Sequence, residues 1–368
     1  MSPAPSRLLR QLEAAIGAAA TPLTADCLRA ERACYLARQG RLDEAKSAVI
    51  ELRRQYGSAP NVAMSAWLSL AEGLESYFRN LGALSRDKVL RAHALSTAGG
   101  LVPMQALSAA WLAQMDFTKL DVESMARHVK QALKLAAPQD NPARARASLV
   151  LAQALHVARR LDLALPWYRR AHSHATALGD DSTISALMHN MACMRLDNLR
   201  QAKLTGLGDE SDIDVVTTGA ESTGRFDQLI GASSLKALNP LLRARIHSLQ
   251  GRPAEALLQY EEHVEIDVDE GFSRMKSDML SDVAWCRLQL DQRESALSSA
   301  IEAEASLVVE TQIDDRASTH TRLSWFYGTI GDKEAAQRHQ VLASDAWNKY
   351  VQLQRQIVES LGAVTEGG

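Results

Sequence analysis

Four groups of residues in this chain are of types that could carry chemistry. His172 and His174 could offer two imidazoles to a metal, but they stand two apart in a helical pattern and so point in different directions. Asp209, Glu210, Asp212 and Asp214 are acidic enough for a calcium loop, yet they lack its central Gly and its closing Glu. Asp267, Asp269 and Glu270 read as a charge cluster at a helix end. Cys27 and Cys34 share a helix face at a separation of roughly 10 Å along the axis, too far for a disulfide. With Cys193 and Cys286 they make four cysteines in 368 residues. A secreted disulfide scaffold would be denser, so reduced thiols in a cytoplasm are expected.

The known signatures of catalysis do not occur. There is no P-loop to cradle a phosphate, no GxGxxG opening a helix, no HExxH for zinc and no GxSxG nucleophile elbow. The expectation is a protein without enzymatic activity, cofactor or metal. Net charge is −3, from 41 basic and 44 acidic residues. Arg159–Arg160 and Arg169–Arg170 are lone pairs without a surrounding basic face, so a nucleic-acid partner is not expected. No run of 18 apolar residues exists to span a membrane. The stretch Leu12–Ala20 is interrupted by Glu13 and reads as an amphipathic cap helix within residues 1–25, not as a signal peptide.

What remains is a repeat. In Ser148–Ala171, the residues Leu151, Ala152 and Leu155 mark one helix face, and Leu161, Ala164, Tyr168 and Ala171 mark a second. Small residues at Ala152 and Ala164 allow two antiparallel helices to approach closely. The same pattern recurs at Ala33, Leu36, Gly40, Leu42, Ala45 and Val49, and at Ala244, Gly251, Ala256 and Tyr260. It returns at Val283, Ala284, Ala296, Ala300 and Ala303, and at Leu323, Tyr327, Gly331, Ala336 and Ala343. Turns are expected near Gly40, Gly82, Asp121, Arg159, Gly251, Asp291 and Gly331, at intervals of 38 to 42 residues apart from one of 92. The segment 201–233 has glycines at 206, 208, 219, 224 and 231 and no helical period, and is expected to be an irregular insertion. Pro166 is expected to make its helix start late or bend.

These residues resemble the tetratricopeptide repeat (TPR) family, with Leu-Ala early in the first helix, Gly at the turn and Ala…Tyr…Ala on the second. The family's basic period is about 34 residues, and the longer period here is similar to that of bacterial regulators of the maltose-activator and Rap types and of the helical arms that precede diguanylate cyclases. Arg32 and Arg159 depart from the family pattern. The resemblance implies an all-α, right-handed α-solenoid of about eight helix pairs. An N-terminal arm would span 26–200 and a C-terminal arm 234–361, with a long final helix and a disordered tail at 362–368. It also implies that partner-facing residues come from the first helix of each pair. These are Arg146, Gln153 and His156, then His189 and Asn190, then Arg245, Asp282, Trp285, Arg322 and Trp325.

Trp285 and Trp325 are 40 residues apart, one repeat, and should occupy equivalent positions on neighbouring helices, either as an exposed aromatic shelf or packed in the core. Asp282 and Arg322 are equivalent in the same way and would either pair or present charge to a ligand. Trp347, Tyr350, Ile357 and Leu361 form a stripe that either caps the last repeat or makes a homodimer contact. The expected function is a cytoplasmic, regulatory scaffold that binds another protein or a peptide in its concave groove. The alternative is a bacterial sensor for a small molecule or short signalling peptide.

Overall fold

The computed structural model describes residues 6–82, 84–206, 213–230, 238–264, 275–309 and 311–365, and these form helices joined by turns, with no strand among them. Asp209, Glu210 and Asp212, the cluster at Asp267, Asp269 and Glu270, and residues 366–368 of the expected tail lie outside the described residues. The chain divides into two compact units. Unit 1 is Met1–Asn190 with Thr223–Leu235 and Ile357–Gly368; unit 2 is Met191–Ser222 with Lys236–Gln356.

Unit 1 opens with α1 (Arg7–Gly17) and continues as four pairs: α2 (Pro22–Arg38) with α3 (Leu42–Tyr56), and α4 (Val62–Asn80) with α5 (Ser85–Ala98), then α6 (Val102–Thr118) with α7 (Val122–Leu135), and α8 (Asn141–Val157) with α9 (Leu161–Leu178). Then come α10 (Asp181–Leu204) and α11 (Ile213–Ile230). Unit 2 contains α12 (Leu238–Leu249) with α13 (Pro253–Val264), α14 (Lys276–Gln289) with α15 (Arg293–Ala305), and α16 (Ile313–Ile330). The last helix is α17 (Lys333–Thr365). The short connections within each pair force its two helices antiparallel.

Side-chain caps start several of these helices. Thr21, Asn61, Asp121 and Asp140 each accept a hydrogen bond from the backbone N–H three residues on, at the starts of α2, α4, α7 and α8. Pro22, Pro103 and Pro142 occupy first turns, where a missing N–H is no loss. Of the two outcomes open at Pro166, the late start does not occur: α9 starts at Leu161 and carries this proline inside it.

The turns within pairs keep a strict beat. Gly40, Leu81, Leu120, Arg159, Gly251, Asp291 and Gly331 all have a left-handed backbone, at spacings of 39 to 41 residues with one of 92. Four of the seven are not glycine and bear the steric penalty of that conformation. The long interval holds α10 and α11, so the segment 201–233 is not irregular throughout. α11 has Val216 buried with Ala192 and Leu196 of α10 and with Leu242 and Ile246 of α12. Packing supplies what a Gly- and Thr-rich sequence lacks in helix propensity.

Helices of a pair approach through small residues. Ala152 of α8 and Ala164 of α9 are wholly buried, and Tyr168 fills the space beside them. In α14–α16 the same part is played by Ala284, Ala296, Ala300 and Ala303 around Leu323 and Phe326. Unit 1 also brings its beginning to its end. The Leu8 amide donates to the Gly179 carbonyl at 3.2 Å, and Arg38 of α2 bonds Asp180 and reaches the Thr183 hydroxyl at 2.7 Å. The α17 stripe is covered within this chain: Tyr350, Ile357 and Leu361 are buried, and the half-buried Trp347 donates from Nε1 to the Thr321 hydroxyl at 2.9 Å.

Two glycines test this packing in opposite directions. A Cβ at Gly73 in α4 would come within 2.6 Å of a Val89 methyl of α5. Gly73→Ala should therefore destabilise by ~1–3 kcal/mol, overriding the ~1 kcal/mol of helix propensity it gains. A Cβ at Gly328 in α16 meets nothing closer than 3.9 Å, and Gly328→Ala should stabilise by about 0.5–1 kcal/mol. Urea titration of both variants gives the comparison.

Candidate functional site

In unit 2 the expected residues do meet. Trp285 on α14 and Trp325 on α16 have ring centroids 5.9 Å apart and planes tilted by 60°. Trp285 is half-buried, and Trp325 is 37% exposed. The Arg322 guanidinium lies 5.6 Å from one ring centroid and 5.5 Å from the other, close enough to both for cation–π attraction. One turn of α16 thus sets both indoles against a single cation.

Arg322 is itself fixed from below. Its Nε donates to Asp282 Oδ1 at 3.0 Å. Asp282 Oδ2 accepts from Arg200 at 3.0 Å and from the Tyr260 hydroxyl at 2.9 Å. Burial alone would push this carboxyl up, but Arg200, Arg322 and Arg245 together hold it down to about 2. Asp278, one turn earlier on α14, accepts from Arg200 and from Arg245, each at 2.7 Å. Arg245 also donates to Asp197 at 3.2 Å.

Next to this set lie Asp314 and Asp315 at the start of α16. Burial raises Asp314 to about 6, with Asp197 adding to the effect. Burial also carries Asp315 well above the usual carboxylate range, with Asp314 and Asp278 reinforcing it against the pull of Arg245. Asp282 and Arg322 therefore pair, one of the two outcomes open from sequence. They are buried, and Asp282 has its oxygens filled from inside the chain, so it is not placed to receive a ligand.

In unit 1 the expected residues are also turned inward. Gln153 and His156 are buried. His156 lies 3.1 Å from the Tyr168 hydroxyl of α9, within its own helix pair, and among the described residues Gln153 Oε1 is buried without a hydrogen-bond partner. Neither lines an open face. Arg146 is buried too, stacked 3.9 Å over the Trp111 ring centroid. His189 and Asn190 on α10 are half-buried.

Several polar groups were not singled out from sequence. Asp116 accepts from His128 at 2.6 Å and from Arg86 at 2.7 Å. His93 lies 3.0 Å from the Ser108 hydroxyl. The serine and the aspartate are thus bonded to different histidines, and Ser108 is fully buried, so these groups do not form a nucleophile triad. Arg200, Asp278 and Tyr260 were also missed. The segment SDMLSDVAW did carry a signal, since two aspartates four apart on an otherwise apolar helix need buried partners.

Among the described residues no group of three or more His, Cys, Asp or Glu could hold a metal ion, and no helix is long and apolar enough to cross a membrane. No protein-family model matches the chain, and no curated protein matches it in sequence.

Asp282→Asn would leave Arg200 and Arg322 buried beside a neutral group and should cost about 3–5 kcal/mol in urea denaturation. Acid–base behaviour gives a second check. Between pH 4 and 6 the folded chain keeps a proton on Asp314 that the unfolded chain loses, so this group makes stability fall as pH rises. His320 acts oppositely: burial and then the adjacent His339 lower it to about 4, so it makes stability fall as pH drops from 6.5 towards 4. Relative to wild type, the slope of unfolding free energy against pH over 4–6 should turn more positive in Asp314→Asn and more negative in His320→Gln.

Proposed function

We propose that the chain is a right-handed α-solenoid of TPR-like hairpins that acts without catalysis, binding another protein or a peptide segment on the surface that carries Trp285 and Trp325. The observation behind this reading is the aromatic pair itself. Two indoles one repeat apart stand against one guanidinium, with Trp325 open to solvent. Large aromatic and Arg side chains on a rigid support are the usual anchors of protein recognition. The regular beat of left-handed turns supports the repeat reading, since one such residue per hairpin keeps successive pairs in register.

The binding face differs from a polar groove. The charged inner residues hold the helices, and Arg322 is shared between that interior and the indoles. A partner would bury an apolar or aromatic side chain against the tryptophans and could place a carboxylate beside Arg322. The helix face would need little rearrangement on binding, which limits the entropic cost.

A displayed random-peptide library should yield binders to the wild-type protein enriched in apolar and acidic residues. The double variant Trp285→Ala/Trp325→Ala should bind those peptides at least ten-fold more weakly, while its circular dichroism and melting temperature stay close to wild type. Retained peptide affinity in that variant, or a library that yields no binders, would count against this face.

A further inference from the structure

A second site stands apart from the aromatic pair and does not depend on it. Arg146 of α8 lines a pocket in unit 1 whose wall includes Arg38, Trp67, Trp111 and Asp180 and is otherwise rich in leucine. Arg146 is 6% exposed. Of its five N–H donors, one contact is made, at 3.4 Å to the Gln114 side-chain oxygen. Among the described residues no carboxylate forms an ion pair with it. Asp180, the acid across the pocket, is held by Arg38 and Thr183.

Glu31, also on the wall, is pushed up by burial and pulled down by Arg38, and among the described residues it forms no ion pair with Arg146. Burial, then the charge of Arg38, lowers Arg146 itself to about 9, still a cation at neutral pH. A buried guanidinium without a counter-ion is costly to the folded chain. Trp111 offsets part of that cost by stacking under it, and the remaining donors face the pocket.

We propose that this pocket binds a short-chain organic monocarboxylate, its carboxylate bonded to Arg146 and its apolar body against Trp111 and the leucines. Arg38 is already paired with Asp180, so one negative charge is what Arg146 calls for. Size sets the rest: the enclosed space is about 40 Å³, and each water-sized group needs roughly 10–15 Å³ of such space. That is room for about three or four such groups, a carboxylate of at most two carbons in all, and the apolar wall disfavours a fully hydrated oxyanion such as phosphate.

The experiment uses the full chain, with acetate, acetamide as its neutral isostere, and inorganic phosphate, in calorimetric titration and thermal melts. Acetate should bind saturably and raise the melting temperature; acetamide and phosphate should do neither. Arg146→Met should weaken acetate binding by roughly ten- to a hundred-fold. It should also raise the melting temperature of the ligand-free chain, because it removes an unneutralised charge; a guanidinium that serves as a structural tie would give a lower one. Trp285→Ala/Trp325→Ala should bind acetate as wild type does, which separates failure here from failure of the peptide-binding face. If the arginine variant does not fold, the comparison of acetate with acetamide on wild type still decides. Equal binding of acid and amide, preference for phosphate, or no saturable acetate binding overturns the proposal.

Discussion

Helices that cross at alanine and glycine come close enough to leave little room for anything but each other, and much of this molecule follows from that constraint. Ala152 against Ala164, and Gly73 against Val89, set the spacing within pairs. First helices of neighbouring pairs also pack on one another, α2 on α4, α6 on α8 and α14 on α16. Polar side chains on those faces must then find partners inside the chain, because an unpaired polar group in such surroundings costs several kcal/mol (about 2–7 by transfer measurements).

The two units meet that demand differently. In unit 2, Asp278 and Asp282 on one helix gather Arg200, Arg245 and Arg322 from three others, and Tyr260 from a fourth. The carboxyl groups outnumber the guanidinium groups, and the surplus appears at Asp314 and Asp315, which burial drives towards the protonated form. Unit 1 joins inner charges in smaller groups, as Arg38 with Asp180 and Arg86 with Asp116. Arg146 is the exception, with an indole beneath it in place of an acid.

The helical hairpins and their phase were legible in the sequence because a turn every forty or so residues leaves a regular mark. Expected turns at Gly82 and Asp121 fall at Leu81 and Leu120, one residue earlier, since the chain spends a leucine on the left-handed position there. α11 was not legible: its glycines and threonines argue against a helix, and only contact with α10 and α12 explains it. At the candidate site, the spacing of Trp285 and Trp325 foretold that the indoles would meet. It could not foretell that Gln153, His156 and Asp282 would be enclosed. Which side chains of a helix end up covered depends on what other helices bring to them, as Tyr168 of α9 comes to His156 and Arg200 and Arg322 come to Asp282. A repeat pattern carries no record of that.

The charge cluster around Asp282 also bears on how unit 2 responds to heat. Removing ions from water is penalised less as temperature rises, because the ordering of water around free charges becomes a liability for the unfolded chain. Apolar burial also strengthens on warming, but it levels off at high temperature. The carboxylate–guanidinium web should therefore carry a growing share of the cohesion of unit 2 as the solution becomes hot.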